Sequence, residues 1–314
     1  MTPLDDLTGR VAELTGPRTF AVREERFPPP PAGRVLVRVE AVGICASDLT
    51  AWRRGPADPA VPARLGHEPV GTVALLGAGV EGLRVGQRVT GRLVPAFADY
   101  VTADPVDLVP VPDGLDPTLA LGEPLGCVVE GYRRAAPAVG ARTAVVGLGF
   151  MGLVMTRLLA LSPTAEVAAI DPRDDARAVA GTLGATRLGH PEDADPPRST
   201  AELVVEASGT AAGLRLATDL AAEHGTLAVL GYHQTPREVD LGTWNWKALD
   251  VVNAHVRDRH LLATATRRAM DLLASGRLDL THLVTHRYPL DRVEEAYHAL
   301  ETKPRGFVKA VVTL

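Results

Sequence analysis

Hydrophobic and polar positions change rhythm twice along this chain. From Arg34 to Val42 (RVLVRVEAV) polar and apolar residues alternate, which predicts a half-buried strand after the turn forced by PPPPAG. Thr72–Leu76, Arg88–Thr90, Ala98–Thr102 and Leu108–Val111 read as further short strands broken by Gly and Pro, so this region predicts a compact, mostly β unit. The rhythm shifts at Asp116: Pro117–Ala135 is long, apolar and Gly-punctuated and predicts a helical connection. Beyond it, strands at Ala141–Val146, Val167–Ile170, Leu203–Glu206 and Leu227–Leu230 alternate with helices at Leu153–Leu161, Asp174–Leu183 and Ala211–Ala222. Such alternation predicts a parallel, doubly wound sheet. From about His255 the pattern changes again, to a helix over Leu261–Ala274, a strand over Leu283–Tyr288, a helix over Val293–Leu300 and a last strand over Val308–Thr313.

Composition adds bounds rather than chemistry. With 314 residues, 46% of them hydrophobic, the chain has material for two cores. Its net charge of -5 is spread without basic stripes, which argues against nucleic acid as a partner. Apolar runs are interrupted well before the length that spans a bilayer, so no membrane segment is expected. The opening MTPLDDLTGR lacks the apolar stretch of a signal peptide. The two cysteines, Cys45 and Cys127, cannot build a disulfide framework and suit a reducing, cytoplasmic setting.

Chemistry concentrates between Gly43 and Val80, where Cys45, Asp48, His67 and Glu68 offer a thiol, an imidazole and carboxylates. These are the usual ligands of zinc, and a few scattered ligands with room for water or substrate suit a catalytic ion rather than a structural one. Each residue alone is more often a buried core side chain. A second pattern stands at Gly147, Gly149 and Gly152, a G-x-G-x-x-G that follows a strand and opens a helix at Phe150 and Met151. The first glycine permits the tight turn, the second lets backbone approach a pyrophosphate, and the third allows close helix–strand packing. Asp171 closes the next strand nineteen residues after Gly152, where a carboxylate accepts hydrogen bonds from adenosine ribose hydroxyls. That charge favours NAD over NADP; Arg173 and Arg177 nearby work against the preference, and an N-cap role for Asp171 is the alternative.

The spacing GHE-x2-G-x5-G-x2-V from Gly66 to Val80, together with GICASDL upstream, resembles the signatures of the zinc-dependent medium-chain dehydrogenase/reductases. The resemblance covers nearly the whole chain. It implies a GroES-like, mostly β catalytic domain formed by residues 1–123 and 256–314, with a Rossmann NAD-binding domain of doubly wound parallel sheet inserted over 124–255. It further implies that Cys45 and His67 ligate one zinc per chain, that Glu68 is a ligand or near neighbour, and that Asp48 orients His67. Ser47 becomes the first member of a proton relay, and Lys309 in RGFVKAVV matches a basic position at the cofactor pyrophosphate, unless it is a solvated strand lysine. A homodimer or homotetramer is expected.

Three departures qualify the resemblance. Where the alcohol dehydrogenase pattern has a second cysteine the chain reads LGEPLGC, similar to the polyol branch, so Glu123 is the expected ligand and Cys127 its rival. The gap TGRLVPA is too short for the four-cysteine lobe that holds a structural zinc. The relay continues with Thr50 where an imidazole is common. The implied reaction is NAD-dependent oxidation of a secondary alcohol of polyol, cyclitol or amino-sugar type, or its reverse, with Glu130, Trp52, Trp244, Trp246 and His255 as candidate pocket residues. A zinc-free reductase of activated double bonds and a catalytically idle binding protein on the same fold are the rival readings.

Overall fold

The computed structural model describes residues 7–193 and 198–314; the first six residues of the opening segment lie outside the described ones. It divides into two compact units, one built from the residues up to Gly126 together with Asp258–Leu314, the other from Cys127–Arg257. The expected division fell at 123 and 255.

In chain order the first unit contains β1 (Leu7–Gly16), β2 (Thr19–Phe27), β3 (Val35–Gly43), the short helix α1 (Leu49–Arg54), β4 (Glu68–Leu76), β5 (Arg88–Gly91), β6 (Tyr100–Ala103) and β7 (Leu108–Pro110). Helix α2 (Gly122–Ala135) carries the chain across the boundary. The second unit follows with β8 (Arg142–Val146), α3 (Phe150–Ala160), β9 (Glu166–Ile170), α4 (Asp174–Thr182), β10 (Arg187–Gly189), β11 (Ala201–Glu206), α5 (Ala211–Leu220), β12 (Ala221–Val229), α6 (Leu241–Trp246) and β13 (Asp250–Asn253). The chain then returns to the first unit through α7 (Arg259–Ala274), β14 (Val284–Pro289), α8 (Val293–Thr302) and β15 (Lys309–Thr313).

The first unit holds an antiparallel ribbon, β1–β2, and a seven-stranded sheet of order β14-β15-β3-β4-β5-β7 with β6 added to β3. β3 is its hub: it pairs with β4, with β6 over Val35–Arg38 and with β15 over Ala41–Gly43. That pairing brings the last strand beside the end of β3, immediately before Cys45. Trp52, Phe97 and Tyr297 are the largest fully buried side chains of this core.

The second unit is a parallel sheet of order β10-β9-β8-β11-β12-β13. β8 (RTAVV) and β9 (EVAAI) bury their last four residues, as strands covered on both faces do. Strand order reverses between β8 and β11, and ligands of such sheets bind at the carboxyl ends of the strands at that point.

Several elements differ from expectation. The ribbon β1–β2 has no clean apolar alternation because β2 faces solvent on most positions and joins β1 through ion pairs such as Arg23–Glu13. α1, α6, β10 and β13 are too short for a periodicity to register. The expected helix Pro117–Ala135 is a 3-10 turn, Pro117–Leu119, followed by α2 from Gly122. β4 begins at Glu68, four residues before the alternation becomes visible, and α5 ends at Leu220 because Ala221 turns extended. Among the described residues no helix is long and apolar enough to cross a membrane.

Candidate functional site

β3 ends at Gly43, and the chain turns through a 3-10 segment, Ala46–Asp48, into α1. The loop after α1 returns to Gly66, which has φ +88° and where a Cβ would come within 2.9 Å of the Phe97 ring, and β4 then starts at Glu68. This path brings Cys45, His67 and Glu68 together: a thiol sulfur, a ring nitrogen and a carboxylate oxygen lie within 4.8 Å of one another. Ser47 Oγ donates to Cys45 Sγ at 3.2 Å. His67 Nδ1 faces Asp48 Oδ2 at 3.3 Å, which leaves Nε2 as the ring's ligand atom. The hydroxyl of Tyr297 donates to the same Asp48 oxygen at 3.2 Å.

The pocket is anionic and buried. Glu68 is 1% exposed, and Lys309 Nζ pairs with its Oε2 at 2.6 Å. Burial opposes a charge on His67, but hydrogen bonds to Asp48 and Cys45 and the charges of Cys45 and Glu68 push its pKa up to about 11. Burial likewise opposes charge on Lys309, and Glu68, Cys45 and Glu123 outweigh it and raise its pKa. Burial, reinforced by Asp48, raises the Tyr297 phenol and keeps it a donor.

Thiolate, imidazole and carboxylate at this separation fit zinc, whose tetrahedral ligands stand about 3.5 Å apart. Glu123, on the first turn of α2, stands outside the three-residue cluster, its charge reaching Lys309. Cys127 is also outside the cluster and belongs to the second unit. Thr50 is on α1. Lys309, expected at a pyrophosphate, has its ammonium on Glu68 and donates to the Ile44 carbonyl at 2.9 Å, because β15 lies against the end of β3.

The second unit carries the glycine turn, and its three glycines have three different surroundings. Gly147 has φ +95°, and a Cβ there would meet Ser208 N at 2.6 Å. A Cβ on Gly152 would stand 1.9 Å from the Gly147 carbonyl oxygen. A Cβ on Gly149 would meet nothing within 4 Å, the open approach a phosphate needs. No side chain caps α3, whose first residues are Phe150, Met151 and Gly152, so its N-terminus suits an anion. Asp171 Oδ2 accepts from Leu148 N at 2.8 Å, and Oδ1 accepts from Arg173 N at 2.9 Å and Nε at 3.2 Å. Three of about four acceptor positions of the carboxylate are thus taken by protein donors. Asp171 does not cap α4, whose N-cap is Arg173, and Arg177 donates to the Asp171 and Pro172 carbonyls.

Other candidates are occupied elsewhere. Glu130 is clamped by Arg133, Trp244 donates to Thr218 and packs on the core, Trp246 is 84% exposed, Trp52 is fully buried, and His255 faces the Gly231 carbonyl. Residues absent from the sequence reading are Tyr297, 249 positions from Asp48, and the buried Glu206 at the end of β11, held by Ser208, Gly209 and His233.

Residues 31–113 match the alcohol dehydrogenase GroES-like domain family. Sorbitol dehydrogenase of Gallus gallus is 30% identical over 349 aligned positions, covering 95% of each chain. The chain belongs to the medium-chain dehydrogenase/reductase family. A second relative of this oxidoreductase, 2-dehydro-3-deoxy-L-galactonate 5-dehydrogenase of Pseudoalteromonas atlantica, is 29% identical over 96% of this chain and 97% of its own. A protein from Sinorhizobium meliloti 1021 solved with NADP superposes with a TM-score of 0.85 at 25% identity, covering 98% of this chain and all of that one. 2R,3R-butanediol dehydrogenase from Bacillus subtilis shares the fold at TM-score 0.85 and 23% identity, covering 98% and 100% of the two chains. With two cysteines in all, this dehydrogenase/reductase has no four-cysteine lobe.

Proposed function

We propose that this protein oxidises a secondary alcohol of polyol, cyclitol or amino-sugar type to a ketone, or runs the reverse reaction, with one zinc per chain and NAD. The observation that carries the reading is the Cys45–His67–Glu68 cluster with Asp48 on the far nitrogen of His67. Cys45 Sγ and His67 Nε2 hold the ion, with Glu123 as a further ligand and Glu68 beside it. When bound, zinc supplies a Lewis acid toward the alcohol oxygen and the nicotinamide supplies the two-electron acceptor. Ser47, anchored on Cys45, takes the alcohol proton and passes it outward by way of Thr50 or water. Asp48 keeps the His67 proton on Nδ1 and the ring fixed. The N-terminus of α3 and the open face of Gly149 receive the pyrophosphate, and Asp171 takes a ribose hydroxyl on its remaining acceptor position. Sorbitol dehydrogenase and the galactonate dehydrogenase among the relatives support a polyhydroxylated substrate.

The test is metal analysis of purified protein together with NAD+ reduction across polyols, cyclitols and aminocyclitols. About one zinc per chain and turnover abolished by chelation are expected. Full activity in zinc-free protein, or reduction of activated double bonds in place of alcohol oxidation, would sink the proposal.

A further inference from the structure

A phenol buried in a hydrophobic core is costly unless its hydroxyl finds a partner, and at this position a phenylalanine would fill the same volume without that demand. Tyr297 is fully buried on α8, in the aromatic cluster of the first unit. Its ring lies between those of Phe20, stacked at 5.6 Å, and Trp52, stacked at 5.5 Å, while Phe97 meets it edge-on at 6.0 Å. Three segments far apart in sequence therefore hold one ring from three sides, and the hydroxyl has a fixed position. It donates to Asp48 Oδ2 at 3.2 Å. The same oxygen faces His67 Nδ1 at 3.3 Å.

We propose that Tyr297 is a positioning residue of the metal pocket: its hydroxyl fixes Asp48, and through Asp48 it sets the angle at which His67 presents Nε2. The inference rests on the reading that Cys45 and His67 hold zinc. Asp48 ends the 3-10 turn and stands at the N-cap of α1, yet its side chain makes no cap hydrogen bond there, so its carboxylate needs an outside group to stop rotation. His67 alone is a poor anchor, since it is the group to be oriented. The phenol donor supplies the fixed point: at 3.2 Å the bond is long for a hydroxyl on a carboxylate and adds little to fold stability, but its direction is set by the clamped ring. Groups that orient a metal-ligating histidine typically contribute about 10- to 100-fold to metal affinity. Tyr297 acts one bond further out, so the low end, about tenfold, is expected.

Tyr297→Phe removes only the oxygen and keeps the stack. Metal-stripped wild type, Y297F, D48N and the double variant are loaded with Co2+ and titrated against a competing chelator, and the Co2+ absorption bands are recorded. Y297F should bind Co2+ about tenfold more weakly, with shifted ligand-field bands and an unchanged Tm. The double variant should bind no more weakly than D48N, because the hydroxyl works only through Asp48. Tyr297→Leu is the packing control and should lower Tm, as Y297F does not. Unchanged affinity and bands in Y297F, or losses in Y297F and D48N that simply add, would overturn the inference while leaving the zinc site standing. If wild type takes up no Co2+, or takes it up without a thiolate charge-transfer band that C45A abolishes, the zinc reading itself fails first.

Discussion

The glycine turn of the second unit permits a sharp separation between folding and ligand approach. Helix propensity alone says that Gly152→Ala stabilises α3 by up to about 1 kcal/mol. The structure says the reverse. A Cβ on Gly152 would stand 1.9 Å from the Gly147 carbonyl oxygen, against an ordinary contact above 3 Å, and the obstacle is backbone rather than a mobile side chain. Relieving it means moving a helix or a strand end by more than about 1 Å, at an overpacking cost of about 1–3 kcal/mol or more. After the propensity gain the variant should lose about 1–2 kcal/mol and melt roughly 3–8 °C lower. Gly149→Ala is the counterpart. Its φ of -74° suits any residue and its Cβ meets nothing within 4 Å, so the fold should survive with a penalty below about 1 kcal/mol from the changed N-cap. The added methyl instead occupies the approach that a pyrophosphate needs, and NADH affinity should fall about tenfold or more, about 1.4 kcal/mol. Calorimetric melting and fluorescence titration with NADH read the two effects separately. A Gly149→Ala variant that binds NADH as wild type does would refute the assignment of the cradle. A Gly152→Ala variant with unchanged or raised Tm would refute the steric reasoning.

Glu123→Ala should loosen zinc at least 10-fold while Cys127→Ala leaves it in place, by competition with a chelator; the opposite pair of results would make the site a two-cysteine one. NAD should be preferred over NADP, and Asp171→Ala should narrow the gap in kcat/KM; comparable efficiencies in wild type would show that Arg173 and Arg177 cancel the carboxylate. In the ribbon, Glu13 is lowered below 4.5, first by its hydrogen bond to Arg23 against burial and then by Arg64, and Glu25 is lowered by Arg64 and Arg23. Depressed folded-state values mean that this stabilisation is complete above about pH 4.5 and fades as pH falls through the lowered ones. Arg64→Met should therefore flatten the slope of Tm against pH below 4.5, and an unaltered slope would show that the cluster is screened out.

The parallel sheet was readable because strands such as Ala141–Val146 and Val167–Ile170 finish in apolar runs closed by glycine or aspartate. The ribbon was not, since β1 buries four consecutive residues, Val11–Leu14, and β2 is exposed at most positions, so neither strand shows a period of two. At the candidate site, the donors Cys45, His67 and Glu68 are close in sequence and chemically distinctive. Their supports are neither. Tyr297 sits with Val293, Ala296 and Leu300 on the buried face of α8 and reads as core, while Lys309 opens a strand and reads as solvated or as a ligand to phosphate. Only the pairing of β15 with β3, a contact between chain positions 265 apart, turns that lysine toward Glu68.

That pairing fixes the order in which the pocket can be completed. Its donors Cys45 and His67 emerge early in synthesis, yet the cation that faces Glu68 and the ring that meets Asp48 come from residues 297–309, after the entire inserted unit. Until those residues dock, Glu68 lacks its lysine and Asp48 its phenol, and closing so long a loop is among the slower steps of folding. Completion of the cluster's surroundings is thus a late event, set by the arrival of β15 rather than by the first appearance of the donors.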